Sequence, residues 1–278
     1  MPYITVGTEK GNDIKLSYAD YGEGKPIVLI HGWPLSHRMW EKQVAALTKA
    51  GYRVVAYDRR GFGESYKPWE GYDYDTLAKD LHMLIEKLEL REAVLIGFSM
   101  GGGEVARYIG TYGTQRLSKA ILFSSVTPFL LKTDNNPNGV PQSVFEEMQT
   151  GLMTDRPGFL ENFCKTFFNW DKDGKDLMSD AALKHCWDIA VWANPKATIT
   201  CVQAFSNTDF RDDLAKFDIP TLILHGDDDQ IVPFEVSGKR SHEMIPNSEL
   251  VIIEGGAHGL TFTQPERINN ALLEFIAK

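Results

Sequence analysis

The sequence predicts an α/β protein with a mostly parallel central sheet and helices on both faces. Two observations support this class: short β-rich segments alternate with longer segments of helical spacing, and the β-rich segments are almost continuously apolar. Continuous apolar strands are typical of strands buried on both faces, and the alternation is typical of parallel sheets. With 278 residues, 43% of them hydrophobic, the chain is long enough to bury such a core.

The predicted elements follow one another in a regular order. An antiparallel hairpin turning at Gly11-Asn12 comes first, within residues 4–22. The predicted strands are KPIVLIH (25–31), YRVVAYD (52–58), AVLIGF (93–98), LSKAILFSS (117–125), IPTLILHG (219–226) and SELVIIEGG (248–256). The predicted helices among them cover 39–51, 73–90, 102–113 and 265–278, and Gly51 is a helix stop.

The alternation stops after Pro128. Residues 131–211 contain no clear strand pattern and read as several helices rich in aromatic residues. This predicts a helical insertion, called the cap below, over one discontinuous core. The predicted boundaries are 1–130 for the first part of the core, 131–211 for the cap and 212–278 for the second part of the core.

Composition and charge exclude several classes of partner. The net charge of −9 argues against a nucleic-acid partner, which would need clustered Lys and Arg. The sequence has no stretch of about 18 apolar residues, so we expect no membrane span. The N-terminal segment lacks the apolar region of a signal peptide.

The cysteines and histidines suggest neither disulfides nor a metal. Cys164, Cys186 and Cys201 have no CxxC spacing and lie among apolar neighbours, so we expect buried, reduced thiols. No histidine pair has metal-site spacing with a third ligand, so we expect no metal. Nothing calls for an oxidising compartment, and we expect a cytoplasmic protein.

Four features lie at the carboxyl ends of predicted strands, where the loops of a parallel sheet converge on a crevice. They are His31-Gly32-Trp33, Ser99, the run Asp227-Asp228-Asp229, and His258. Their positions predict that these side chains meet in one site.

Ser99 lies in Gly97-Phe98-Ser99-Met100-Gly101, which fits G-x-S-x-G between a predicted strand and a predicted helix. This motif forms a tight elbow that exposes a nucleophilic serine, and its glycines allow close chain contacts. A rival interpretation is a dinucleotide loop, because residues 101–106 fit G-x-G-x-x-A. That loop needs an acidic residue at the end of the next strand, and FSSV (123–126) supplies none.

A serine nucleophile needs a base and a group that orients the base. His258, in the glycine-rich loop GGAHG (255–259), is the best candidate base. His31 instead suits an oxyanion loop, and His225 a structural role. The acid must come from LHGDDDQIVP (224–233), where the residues alone do not choose among the three aspartates.

The order Ser, Asp, His along the chain resembles the α/β-hydrolase superfamily. HGWPLS (31–36), YDRRGFGES (57–65), GFSMGGGEVARY (97–108), HGDDDQIVPFE (225–235) and GGAHGL (255–260) resemble one branch. That branch contains bacterial arylesterases and cofactor-free, non-haem haloperoxidases that act as perhydrolases. The resemblance implies Ser99, Asp229 and His258 as a catalytic triad.

The same resemblance implies further site residues. The backbone N–H groups of Trp33 and Met100 would form the oxyanion hole, and no cofactor would be bound. Serine at position 99 disfavours dehalogenases and epoxide hydrolases, which carry aspartate there. The usual A-P-H-G near the histidine is here Gly256-Ala257-His258-Gly259, a change that would loosen the loop. The implied substrate-binding residues are Pro34, Val126, Phe145, Phe163, Phe205, Ile231 and Phe234.

We therefore expect a serine carboxylesterase for aryl or short-chain esters, with perhydrolase or cofactor-free haloperoxidase side activity. Its partners would be a small-molecule ester and hydrogen peroxide, and the resemblance is compatible with a homo-oligomer. Pro34 follows Trp33 as in perhydrolase-like members of the branch. Proline restricts the backbone of Trp33 and so fixes the direction of its carbonyl group, which could contact a peroxide. The alternative role of Pro34 is only to stiffen the loop. Two alternatives stay open: a lactonase or γ-lactamase with the same triad, and a non-catalytic or slow-turnover receptor on the same fold.

Overall fold

The fold is built on one eight-stranded sheet, and a computed structural model describes all residues from 1 to 278. The strand order is β1-β2-β4-β3-β5-β6-β7-β8. The strands are β1 Tyr3–Glu9, β2 Asn12–Tyr21, β3 Pro26–Ile30, β4 Arg53–Tyr57, β5 Ala93–Phe98, β6 Leu117–Phe123, β7 Thr221–Gly226 and β8 Glu249–Ile253. Only the β1–β2 and β2–β4 pairs are antiparallel. The predicted mostly parallel α/β sheet is thus confirmed.

Helices connect the strands and cover the sheet. They are α1 Glu41–Lys49, α2 Tyr74–Lys87, α3 Met100–Tyr112, α4 Gln142–Phe167, α5 Lys175–Leu177, α6 Asp180–Val191, α7 Pro195–Asn207, α8 Arg211–Leu214, α9 Gly238–Met244, α10 Leu260–Thr263 and α11 Pro265–Ala277. From β3 to β4 the chain steps across the sheet toward β1, and from β4 to β5 it steps back across the sheet toward β8. Because parallel crossovers are right-handed, α1 and α2 lie on opposite faces. Helix α1 packs with α11, and α2 packs with α3.

The central strands explain the continuous apolar segments of the sequence. Every residue of β5 and of β7 is buried, since helices cover both faces of the sheet there. The strand β1, at one edge, instead alternates between buried and more exposed residues. Burial on both faces favours apolar side chains in these strands, and the polar residues of β7, Thr221 and His225, lie near its two ends.

The segment between β6 and β7 contains α4 to α8 and no strand. Helix α4 is kinked at Asp155, whose φ of −149° is not helical, two residues before Pro157. Proline causes such a break because its ring clashes with the preceding turn and it lacks an N–H donor. Helix α4 packs against α6 and α7. The exact boundaries of the cap stay a prediction.

Two element boundaries differ from the sequence prediction. The hairpin turns at Lys10-Gly11, with φ values of 49° and 82°, one residue before the predicted position. Helix α3 begins at Met100 rather than at residue 102, because Ser99 itself joins β5 to the helix without a linker. No helix is both long and apolar enough to cross a membrane.

Candidate active site

Ser99 lies at the sharp junction between β5 and α3. Its backbone has φ 54° and ψ −119°, a conformation that is unfavourable for any residue with a Cβ atom. The Ser99 N–H donates a hydrogen bond to the carbonyl oxygen of Phe123 at the end of β6, 2.8 Å away. The sheet therefore holds the strained residue in place, as the nucleophile elbow requires.

The neighbouring glycines are required by close packing. A Cβ atom on Gly97 would collide with the backbone of Gly101, and one on Gly101 would collide with the carbonyl oxygen of Ile30. Residues 101–103 are buried at the start of α3. These glycines thus serve the elbow, and they leave no open cradle for the phosphates of a dinucleotide.

Asp229 is the aspartate of the run that contacts His258. Its Oδ1 accepts hydrogen bonds from the backbone N–H groups of Ile231 (2.9 Å) and Val232 (2.8 Å). Its Oδ2 lies 2.5 Å from His258 Nδ1 and 3.3 Å from His225 Nε2. Sequence reasoning gave His225 a structural role, and the structure places it against this carboxylate.

The ionised form of the Asp229 carboxyl group is favoured over the protonated form. Burial alone would raise the pKa of the carboxyl group. The attraction of His258 and the hydrogen bonds from His225 and His258 outweigh burial and hold the pKa well below its usual range. Asp229 is therefore a carboxylate near neutral pH.

His258 is fully buried between aromatic rings. Its ring centroid lies 4.8 Å from that of Phe98 and 4.9 Å from that of Phe167. In the neutral imidazole, donation from Nδ1 to Asp229 would leave Nε2 as the acceptor nitrogen, and Nε2 has no hydrogen-bond partner within the chain. The structure thus brings Asp229 and His258 into contact. It places Ser99 directly after Phe98, without a hydrogen bond between the Ser99 hydroxyl and His258.

The two candidate oxyanion donors lie beside Ser99. Trp33, Met100 and Ser99 line the same pocket. The Trp33 backbone N–H has no partner within the chain, and Met100 is the first residue of α3, where backbone N–H groups lack an intrahelical acceptor. These two N–H groups are therefore available to a negatively charged oxygen.

A buried polar network lies beneath the candidate oxyanion loop, residues 31–33. His31 receives the Arg59 backbone N–H at Nε2 (3.0 Å), and its Nδ1 donates to the carbonyl oxygen of Gly32 (2.8 Å). The Arg59 guanidinium donates to the His31 carbonyl oxygen (2.8 Å) and to Glu104 (2.7 Å), which also accepts from the Tyr57 hydroxyl. Burial, assisted by Arg59, lowers the pKa of His31 to about 3, so its ring is neutral.

Arg59 and Glu104 were not singled out from the sequence. Both are almost completely buried, and they link the loop after β4 to α3. The available signal was stronger for Glu104, a charged residue between glycine and valine, than for Arg59, which lies between Asp58 and Arg60. Charged residues are rarely buried unless they are paired, so such a position predicts an ion pair.

The pocket at Ser99 is small, with a volume of about 60 Å³, and its lining is apolar except for the serine. Its lining residues are Trp33, Ser99, Met100, Val126, Leu130, Val140, Val144, Phe145, Met148, Phe163, Phe205, Ile231 and Val232. Five of the residues expected there are present, namely Val126, Phe145, Phe163, Phe205 and Ile231.

Two of the expected residues do not line the pocket. Phe234 packs against His225, with ring centroids 5.6 Å apart, and Val232 takes the corresponding place in the wall. Pro34 follows Trp33 through a cis peptide bond and lies outside the lining. The Trp33 ring packs edge-on against Phe163 and is fixed by an N–H bond to the Thr198 carbonyl oxygen.

The cysteines are free and buried. Cys164 and Cys186 approach to 3.7 Å between their sulfur atoms, and burial raises the pKa of Cys201 to about 12. No group of three or more His, Cys, Asp or Glu side chains is arranged to hold a metal ion.

Comparison with known proteins agrees with this fold. Residues 25–265 match the model of the α/β-hydrolase fold family. An eight-stranded, mostly parallel sheet with a serine elbow after β5 and a histidine after β8 is the arrangement that defines this class. The chain belongs to the α/β-hydrolase family.

The most similar proteins place the chain in the non-haem haloperoxidase branch of that family. It is 51% identical over 276 residues to a putative non-haem chloroperoxidase of Synechocystis sp., covering 99% of this chain and 100% of the relative. It is 41% identical to a bifunctional esterase/perhydrolase of Acinetobacter calcoaceticus, covering 99% of both chains. The crystal structure of a bromoperoxidase from Bacillus anthracis superposes with a TM-score of 0.96 at 52% identity, covering 100% of this chain and 99% of the other.

Proposed function

We propose that this enzyme is a serine carboxylesterase for aryl or short-chain esters, with perhydrolysis as a side activity. The observation that carries the proposal is the combination of a strained Ser99 in an apolar pocket with a buried Asp229–His258 pair. An esterase/perhydrolase among the relatives, 41% identical over nearly the whole chain, supports it.

The proposed reaction begins with attack of the Ser99 oxygen on the ester carbonyl carbon. His258 Nε2 accepts the hydroxyl proton, and the carboxylate of Asp229 stabilises the resulting imidazolium. The N–H groups of Trp33 and Met100 stabilise the tetrahedral oxyanion, and each such donor contributes about 10²–10³ in rate. His258 then protonates the leaving alcohol, which leaves an acyl group on Ser99.

The second half of the reaction depends on the attacking molecule. Water gives the carboxylic acid, whereas hydrogen peroxide gives a peracid and restores the Ser99 hydroxyl. A released peracid transfers an oxygen atom to a halide ion and becomes the carboxylate, so hypohalous acid forms without a bound cofactor. This sequence would account for a haloperoxidase activity in a protein with a hydrolase site.

The pocket limits the substrate. Its lining offers no charged side chain to balance an ionic substrate, and its aromatic walls suit an apolar acyl or aryl group. Charged esters would lose hydration without gaining a partner. We therefore expect acetate to butyrate esters of phenols to be better substrates than esters of dicarboxylic acids.

The test is labelling and turnover in two serine variants. A fluorophosphonate probe should label the wild-type enzyme, and Ser99→Ala should abolish labelling. The same change should reduce hydrolysis of p-nitrophenyl acetate by at least about 10³-fold. Peracid formation from acetate and hydrogen peroxide should be lost in parallel.

The matched control is Ser143→Ala, at an exposed serine of the cap that makes no side-chain hydrogen bond. It should label and hydrolyse like the wild type. An unlabelled wild type, or labelling that persists in Ser99→Ala, would overturn the proposal. Turnover of a lactone or γ-lactam in preference to every p-nitrophenyl ester would show that the enzyme is a lactonase or γ-lactamase and not an esterase.

A further inference from the structure

Asp228, the residue before the candidate acid Asp229, joins three parts of the molecule. Its Oδ2 and its carbonyl oxygen both accept hydrogen bonds from Asn169 Nδ2, at 2.8 and 2.9 Å. Its backbone N–H donates to the carbonyl oxygen of Gly256 in the loop of His258, 3.1 Å away. Asp228 is thus bonded on one side to the cap and on the other to the loop that carries the candidate base.

The C-terminal end of α4 also contacts the His258 loop directly. Asn169 follows helix α4, and two residues earlier the Phe167 carbonyl oxygen accepts a hydrogen bond from the Gly259 N–H, 2.8 Å away. The Phe167 ring packs on the His258 ring. The end of α4 therefore touches the acid loop through Asn169 and the base loop through Phe167.

The backbone of Asn169 is suited to this contact. It has φ 49° and ψ 43°, a left-handed conformation that asparagine tolerates better than most residues. Both of its partners on Asp228 are acceptors only, so the amide nitrogen must face them. Asn169 is 8% exposed, and these hydrogen bonds are largely shielded from water.

A third contact of Asp228 is of a different kind. Lys172 Nζ lies 2.6 Å from Asp228 Oδ2, but the lysine side chain is 66% exposed. Exposed ion pairs contribute little, because water and salt screen them. The hydrogen bonds from Asn169, rather than the ion pair with Lys172, therefore define the contact.

We propose that the Asn169–Asp228 pair is a positioning element for the acid–base pair of the Ser99 reaction, and that it ties the segment after α4 to the loops of Asp229 and His258. The inference rests on the proposed serine hydrolase function. Asp229 and His258 lie on different loops and contact each other at 2.5 Å, so a small relative shift of the loops lengthens this contact. Misplacement of reacting groups by about 1 Å reduces rates by up to about 10²-fold.

The test uses variants that remove one contact each. Asn169→Gly retains access to the left-handed conformation and deletes only the amide. We expect kcat for p-nitrophenyl acetate to fall about 10- to 100-fold with KM changed less than threefold, because the apolar pocket is untouched. Asp228→Asn retains an acceptor for Asn169 but loses the charge facing Lys172 and the Oδ1 acceptor of Gln230 Nε2, so kcat should fall less than in Asn169→Gly.

Two controls separate positioning from loss of structure. Lys172→Ala, and Asp188→Asn at an exposed ion pair elsewhere in the cap, should leave kcat within twofold. Titration with a fluorophosphonate should give one site per chain in Asn169→Gly, at a slower labelling rate than in the wild type. A partly unfolded variant would instead titrate to less than one site.

The outcomes distinguish this inference from the proposed function. A labelled, active wild type with unchanged kcat in Asn169→Gly would overturn the positioning role alone. So would a loss of kcat that is fully explained by a loss of titratable sites. A wild type that does not react with the probe would overturn the proposed function, and the positioning role with it.

Discussion

The backbone of Ser99 carries strain that its proposed role as a nucleophile requires. A φ of 54° brings the Cβ atom close to the backbone, and such conformations cost about 1–3 kcal/mol. The bond from Ser99 N–H to Phe123, and the packing of Gly97 and Gly101, hold the residue there. The strain should therefore be measurable as stability that the protein gains when the Cβ atom is removed.

We predict that Ser99→Gly is more stable than Ser99→Ala by about 1 kcal/mol. Alanine retains the strained Cβ atom, whereas glycine adopts a positive φ freely, and this gain exceeds the entropic cost of glycine in the unfolded chain. Urea unfolding of the two variants measures the difference. At Ser143, in helical backbone, alanine should be the more stable of the pair. The same order at both positions would contradict the prediction.

The three adjacent aspartates show where residue-level prediction ends. Asp227 accepts the Gly255 N–H at 2.7 Å, Asp228 bonds Asn169, and Asp229 bonds His258. Each contact depends on a residue that is distant in sequence, so no local pattern could assign the three roles. The resemblance to a family favoured Asp229, and nothing in the sequence indicated the bond between Asp228 and the cap.

At the scale of elements, the Arg59–Glu104 ion pair joins β3, β4 and α3 beneath the oxyanion loop. Arg59 bonds the His31 carbonyl oxygen directly after β3, and Glu104 lies in the first two turns of α3. Burial alone would lower the pKa of Arg59, and the attraction of Glu104 outweighs it, so the guanidinium stays charged. Breaking such a pair leaves an uncompensated buried charge.

We predict that Arg59→Met and Glu104→Gln each lower the free energy of unfolding by about 3–5 kcal/mol. The double variant should be less destabilised than the sum of the two, since it leaves neither charge unpaired. A double-mutant cycle in urea measures this coupling. Arg53→Met with Asp20→Asn, at a more exposed pair, should show coupling of at most about 1 kcal/mol. Additive effects at Arg59 and Glu104 would count against the network.

The elements themselves were largely predictable, and their ends less so. Strand β5 was predicted with its observed bounds because its six residues are apolar or glycine and buried on both faces. The predicted strand 117–125 ends in the structure at Phe123. Ser124 and Ser125 are buried too, so burial alone does not reveal where strand pairing stops.

At the scale of the whole molecule, one sheet edge gathers every part of the candidate site. Loops after β3, β5, β7 and β8 supply Trp33, Ser99, Asp229 and His258, because parallel strands end at the same edge. The convergence was predictable from the strand pattern. The pocket wall was only half predictable, since it depends on how the cap helices pack over that edge.

Burial of the site also links folding to pH. The pKa of buried His31 is about 3, against an ordinary value of 6.5 in the unfolded chain. Below pH 6.5 the unfolded state therefore binds a proton that the folded state does not, and stability falls as pH decreases. The pKa of Asp229 is lowered, so the stability that its charge contributes is lost only as the pH falls below about 3.8, the ordinary pKa of the group. The effect of His31 on stability begins at higher pH, below 6.5.

We predict that, between pH 7.5 and 5.5, the wild type loses about 1.4 kcal/mol more stability than His31→Gln. Glutamine can donate and accept as the neutral imidazole does, but it does not take up a proton when unfolded. Urea unfolding of both proteins at the two pH values gives the difference directly. Parallel pH slopes for the wild type and His31→Gln would show that His31 is able to ionise in the folded protein.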